Sequence, residues 1–199
     1  MRTAALPAAA LVAAAALALG LAACSQDPSS IAAQAKAGDR KGYISGDGTV
    51  EKIEPAKRQE PVALAGTTLD GKPWSVKDAA GKAVVVNVWG SWCGPCVSEA
   101  PDLEKAWRQV STAGKPVEFI GIDFREDPQR GAAFLKSANI TYPSLSDESG
   151  VLILALQGKA PTVPTTLVLD TRGRIAARIS GPTTAATLTG LVDDVLANT

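Results

Sequence analysis

Histidine is absent from all 199 residues. That removes a Ser-His-Asp triad, a Cys-His nucleophile pair, a His-ligated metal site and a His-ligated haem, because each needs an imidazole from this chain. Neither sign of charge is in excess: 20 Lys and Arg stand against 20 Asp and Glu. No basic field is present to draw nucleic acid, and there is no acidic tail. No internal repeat is visible. Cysteine is scarce and odd in number: three residues, Cys24, Cys93 and Cys96, each needing an explanation. What is present is core material. Apolar residues make up 46% and charged residues 20%, which excludes generic disorder, and the length suits one domain with a short appendage.

The amino terminus reads as an export signal. Arg2 is the only charged side chain before Asp27, and residues 4 to 23 are almost wholly apolar. The run ends in Leu21-Ala22-Ala23-Cys24, which resembles the lipobox of bacterial lipoproteins. That resemblance implies cleavage after residue 23 (signal peptide 1–23) and acylation of Cys24, which becomes the first residue of the mature protein. The alternative is an uncleaved anchor, since about twenty apolar residues span a bilayer. Either way the following domain lies outside the cytoplasm. No Arg-Arg pair points to the twin-arginine route.

Residues 24–60 change character. Gly, Ser, Ala, Pro and charged residues dominate, with isolated apolar residues at Ile31, Tyr43, Ile44, Val50 and Ile53. The expectation is a lipid-anchored flexible tether of about 36 residues with a root-mean-square reach of roughly 30–36 Å. The alternative is that the stretch from Tyr43 to Ile53 packs along the domain as an extended arm.

From Pro61 strand and helix signals alternate. Asp70-Gly71 between apolar flanks signals a hairpin. The run Ala83-Val84-Val85-Val86-Asn87-Val88-Trp89 fits a buried central strand. Apolar residues at Val97, Ala100, Leu103, Ala106, Trp107 and Val110 follow helical spacing. A strand is expected over 117–123, a helix over 128–139, strands over 165–170 and 174–179, and a final amphipathic helix over 184–197. Alternating βα units with a terminal hairpin predict an α/β fold, a mixed sheet with helices on both faces.

Between the Val-rich strand and the long helix lies Trp92-Cys93-Gly94-Pro95-Cys96. Cys93 falls at the helix N-terminus, where free N–H groups and the positive dipole end favour thiolate, making it the attacking sulfur. Cys96, three residues on, is within disulfide reach and is the resolving thiol. Pro95 suits the first helical turn. A zinc site would need two more ligands that the chain lacks. An inert disulfide closing so short a loop would stabilise little. Haem attachment needs a His after the second Cys, and Val97 stands there. No metal or bound cofactor is therefore expected: one cysteine serves lipid and two serve redox chemistry.

With these residues the segment 86–96 resembles the thioredoxin superfamily, and more closely its extracytoplasmic TlpA/ResA-like branch. Glu99, Ile120-Gly121-Ile122-Asp123, Phe134, Tyr142-Pro143 and Val163-Pro164-Thr165-Thr166 also match, and the resemblance spans about Pro61 to Ala197. It implies a thioredoxin-like fold: a central mixed sheet flanked by helices, an N-terminal hairpin, and a helix–strand insert within 123–155. It implies that Val163-Pro164 is a cis-proline loop facing the cysteines, and that Trp92, Gly94, Pro95, Val163 and Pro164 contact substrate. It implies that Glu99 exchanges protons with Cys96; the alternative is a solvated helix carboxylate. Asn87 stands where plain thioredoxins carry an acid, which leaves that task to Glu99 or water. Trp89 and Trp92 are expected at an apolar rim, Trp74 and Trp107 in packing, and Arg125-Glu126-Asp127 as a solvated loop.

The implied activity is thiol–disulfide exchange on exported proteins by a membrane-tethered monomer with a membrane electron donor or oxidant as partner. Reduction of apocytochrome c before haem attachment is the leading case, and Gly94-Pro95 resembles reducing thioredoxins. Donation of a disulfide to secreted proteins is the alternative. A thiol peroxidase would want Thr three residues before the attacking Cys, where Gly90 stands; a copper metallochaperone of this fold would want a distal His.

Overall fold

The computed structural model describes residues 43–44 and 48–199. The expected signal peptide, Cys24 and the first part of the tether lie outside the described residues. Among the described residues nine strands and three α-helices follow in chain order. The strands are β1 (Tyr43–Ile44), β2 (Gly48–Lys52), β3 (Ala65–Thr67), β4 (Pro73–Ser75), β5 (Ala83–Trp89), β6 (Val117–Phe124), β7 (Ser144–Asp147), β8 (Thr165–Leu169) and β9 (Ile175–Ser180). The helices are α1 (Gly94–Thr112), α2 (Pro128–Ser137) and α3 (Ala185–Ala197).

The main sheet has the order β1-β2-β9-β8-β5-β6-β7. β5, β6 and β7 are parallel, while β8, β9 and β2 continue it antiparallel. β3 and β4 form a separate hairpin across Asp70-Gly71, where Gly71 takes a φ of 83° that a side chain would resist. The thioredoxin-like fold, the hairpin and the helix–strand insert (α2 and β7) are therefore present as the resemblance implies.

Period-two alternation along the buried strand β5 divides the core. Val85 faces a cluster with Leu103 and Ala106 of α1, Phe119, Val168, and Leu188 and Val192 of α3. Val84, Val86 and Val88 face Leu64, Val76, Ala79, Leu156 and Ala160. α2 joins the first side, with Phe134 on Trp89. Helices on both faces were expected; among the described residues the three α-helices share one face. Segment 61–64 and the short 3-10 turns Val76–Ala79 and Leu152–Leu156 cover the other. The reason lies in the crossovers. β5–α1–β6 and β6–α2–β7 step the same way across the sheet, and right-handed connections then put both helices on one side.

Over residues 48–60 the tether expectation needs correction, and the alternative, an arm packed along the domain, fits there. β2 pairs with β9 from Thr49↔Ser180 to Lys52↔Ala177. Arg58 then plugs into the domain: its guanidinium donates to Asp170 Oδ2 at 3.0 Å and to the carbonyls of Ile53 and Asn198. Asp170 is fully buried and also accepts from Arg174 Nε at 2.8 Å. Burial works against its charge, but the Arg174 backbone N–H and the two guanidinium groups outweigh burial and hold its carboxyl below the ordinary value. The folded part thus begins before Pro61. Gly48-Thr49-Val50-Glu51-Lys52 has one strong apolar residue, so its strand comes from pairing with β9, a partner about 130 residues away, not from its own pattern.

Candidate active site

β5 delivers the chain to the site and α1 carries it away. Gly90 follows the strand, and a Cβ there would stand 2.5 Å from Trp92 Nε1, so only glycine admits the indole. Trp92 Nε1 donates to the Phe124 carbonyl at 3.2 Å, and Cys93 N to the Gly90 carbonyl at 3.1 Å. The turn therefore hands Cys93 to the N-cap of α1. There its sulfur accepts the Cys96 backbone N–H at 3.2 Å, the contact expected to favour a thiolate. Cys93 and Cys96 are joined as a disulfide with Cα atoms 5.2 Å apart. Both are buried, whereas Gly94 and Pro95 are exposed.

The surroundings are apolar. Trp92 is 56% exposed and Val97 40%, so an open apolar rim borders a nearly covered disulfide. Trp89 is not on that rim, contrary to expectation. It is buried against Cys93, Cys96 and Phe134, and its Nε1 donates to Ser144 Oγ at 3.2 Å. Trp107 packs on Phe119 and Trp74 on the opposite core, as expected. The Val163–Pro164 bond is cis, and Val163 packs against the cysteine cluster. The resemblance's cis-proline loop is thus brought to the cysteines, 67 residues beyond Cys96 in sequence.

Glu99 is buried on the inner face of α1 rather than solvated. Its Oε1 accepts from Asn87 Nδ2 at 3.1 Å and its Oε2 from Thr183 N at 2.9 Å. Asn87 in turn donates to Thr166 Oγ1 at 3.1 Å, two residues beyond Pro164. Loss of hydration raises the Glu99 carboxyl to about 7, against the lowering effect of these two donors. A carboxyl near neutrality one turn from Cys96 can give or take a proton at the pH where thiols exchange.

Two residues escaped the sequence reading. Glu126, expected in a solvated loop, is buried and holds the active-site turn: Oε2 accepts from Ser91 N at 2.9 Å and Oε1 from the Ser91 hydroxyl. Asp123, at the end of β6 opposite Trp89, is fully buried with neither oxygen hydrogen-bonded. The signal available was an acid inside an apolar strand, Val117-Glu118-Phe119-Ile120-Gly121-Ile122-Asp123.

Comparison with known proteins agrees with this geometry. Residues 58–178 match the AhpC/TSA family. The thiol:disulfide interchange protein HelX of Rhodobacter capsulatus is 32% identical over 148 residues, 74% of this chain and 77% of HelX. The thiol-disulfide oxidoreductase ResA of Bacillus cereus is 33% identical over 144 residues, 72% of this chain and 78% of ResA. Among solved structures, a DsbF homologue from Corynebacterium diphtheriae superposes with a TM-score of 0.68 at 33% identity, covering 76% of this chain and 96% of that one. A secreted thiol-disulfide isomerase from Corynebacterium glutamicum gives 0.67 at 29%, covering 72% and 92%. The chain belongs to the AhpC/TSA family of thioredoxin-like proteins, and within it to the thiol–disulfide oxidoreductases of the ResA and HelX type.

Proposed function

We propose that this oxidoreductase works outside the cytoplasm, held to the membrane through a lipid on Cys24, and that it reduces disulfides in exported proteins such as apocytochrome c. The observation that carries the redox assignment is the Cys93–Cys96 pair at the start of α1, with the cis Val163–Pro164 loop packed on it. In the reduced enzyme the Cys93 thiolate attacks one substrate sulfur, forming a mixed disulfide and releasing the other substrate sulfur as a thiolate. Cys96, losing its proton to Glu99, then attacks Cys93 Sγ. The mixed disulfide breaks, the second substrate thiolate leaves, and the Cys93–Cys96 bond closes. Two electrons pass to the substrate, and a membrane electron donor restores the dithiol. Trp92, Gly94, Pro95, Val163 and Pro164 offer the substrate a shallow apolar contact around the sulfurs.

The reverse reading, an oxidase donating its disulfide to secreted proteins, uses the same geometry. Among the described residues no helix is long and apolar enough to cross a membrane, so anchoring rests on Cys24 and the segment before it. Two experiments test the proposal. A Cys24→Ala variant should leave the membrane fraction; retention there would refute the lipid anchor. A Cys96→Ala variant should accumulate mixed disulfides through Cys93 with exported proteins, including a haem-attachment peptide bearing a disulfide. No capture through Cys93 would refute the redox role.

A further inference from the structure

The turn that presents Cys93 is tied at two points to the segment after β6: Trp92 Nε1 to the Phe124 carbonyl, and Ser91 to the Glu126 carboxylate. Behind the second tie sits a group with no evident use. Asp123 is fully buried and its two oxygens accept no hydrogen bond. α2 crosses it so closely that a Cβ on Gly131 would overlap Oδ2, so the helix gives it neither side chain nor room. β5 opposes it with Trp89 and β7 continues the register with Ser146. The charged groups that face it are both acids, Glu126 and Asp127. Asp127 is occupied in capping α2, accepting from Gln129 N at 2.7 Å. Among the described residues no Lys or Arg lies within ion-pair distance of Asp123, Glu126 or Asp127.

Two buried carboxylates with no cation between them do not both ionise; one keeps a proton. Which one is decided by donors. Glu126 receives two, from the backbone N–H and the hydroxyl of Ser91. Asp123 receives none. Unprotonated, the two acids are both acceptors and repel. Protonated, Asp123 has one O–H to give, and Glu126 is the acceptor facing it.

We propose that Asp123 is a positioning residue for the active-site turn: as a neutral acid it donates a hydrogen bond to Glu126, Glu126 holds Ser91, and loss of the Asp123 proton loosens the turn that carries Cys93. It acts through two other residues and touches neither sulfur. Burial first, then Glu126 and Asp127, raises its carboxyl to about 8, so the device is closed at neutral pH and opens in mild alkali. The inference rests on the reading that Cys93–Cys96 is the reacting pair.

The test uses the oxidised full chain, in which the two sulfurs do not titrate. Aspartate is labelled with carboxyl 13C and NMR spectra are followed from pH 5 to 9.5. One aspartate carboxyl should titrate with a midpoint near 8, and the amide signals of Ser91, Trp92 and Cys93 should move with the same midpoint. Asp123→Asn, which keeps an N–H donor but cannot ionise, should lose both transitions while reducing an insulin disulfide within about twofold of wild type at pH 6.5. Glu99→Gln should keep both, which separates this carboxyl from the one beside Cys96. The proposal fails if no aspartate carboxyl titrates above pH 6.5, or if the turn amides move unchanged in Asp123→Asn. Should that variant not fold, the wild-type titration decides alone. A titrating Asp123 in a protein without reductase or oxidase activity would sink the redox reading and not the hydrogen-bond chain.

Discussion

Glu99 and Asp123 are both buried carboxyls beside the cysteine turn, and the fold treats them differently. Glu99 receives two N–H donors, from Asn87 and Thr183, and its oxygens are satisfied. Asp123 receives none and faces two other acids. A third, Asp170, lies far along the sheet at the β8–β9 turn and is gripped by Arg58 and Arg174. All three lose hydration. The carboxyl with cations is held below its ordinary value, the one with neutral donors rises to about 7, and the one with neither rises to about 8. Burial alone therefore does not set a role. The partners decide whether a buried acid is a permanent charge that fastens a strand, a proton carrier near neutrality, or a neutral donor.

The largest effect tests what the first two carboxyls serve. Cys93→Ser should lower disulfide-exchange turnover by about 10³-fold or more, while either carboxyl variant leaves measurable activity. If the Ser variant retained turnover in an insulin-reduction assay, the carboxyls would lie beside the wrong pair. Next comes the contrast with Asp170. Arg58→Ala strips one of its two cations and the donor to the Ile53 and Asn198 carbonyls, and should cost about 3 kcal/mol in a urea titration at pH 7, less than a fully uncompensated charge because Arg174 stays in place. A loss below about 1 kcal/mol would mean that the arm from β2 to Arg58 is not fastened as described.

The Glu99 contrast appears in stability against pH. Its carboxyl stands at 4.5 unfolded and about 7 folded, so the folded state binds the proton more tightly. Stability from this group is complete below pH 4.5 and is lost as pH rises through 7, by about 3 kcal/mol. Urea titrations of the oxidised protein at pH 5 and pH 8 should show a fall to which Glu99 and Asp123 both contribute, and Glu99→Gln should remove the Glu99 share of it. Equal slopes in the two proteins would assign Glu99 an ordinary carboxyl. The smallest effect concerns space around Asp123. Gly131→Ala puts a methyl group into Oδ2 and should cost about 1–3 kcal/mol, as overpacking does. A neutral substitution there would mean that α2 does not close over the acid.

The pattern of these partners also explains what was legible from sequence. β5, α1 and β6 carry their own periodicity, and the Cys-Gly-Pro-Cys spacing states its chemistry within five residues. Their positions could be read directly. Val163-Pro164 needed the family resemblance, because nothing local in Thr162-Val163-Pro164-Thr165 says that it will face a cysteine 67 residues earlier. β2 and Arg58 fell in the tether reading, with an extended arm over Tyr43 to Ile53 only as the alternative, since their order comes from β9 and Asp170, which are distant in the chain. Glu126 reads as a solvated acid beside Arg125 and Asp127 until Ser91 is placed against it. Its burial is a property of the turn, not of its own segment. Asp123 alone left a trace, an acid in an apolar strand.

The direction of electron flow is the central claim, and the equilibrium of the Cys93–Cys96 pair with thiol/disulfide buffers tests it most directly. Trp89 and Trp92 beside the pair give a fluorescence readout, and thiol trapping gives a second. A reductase requires a potential near or below about −250 mV, close to thioredoxin on the known scale. A value between about −180 and −120 mV, in the range of disulfide donors, would contradict the reductase account and establish the oxidase reading in its place.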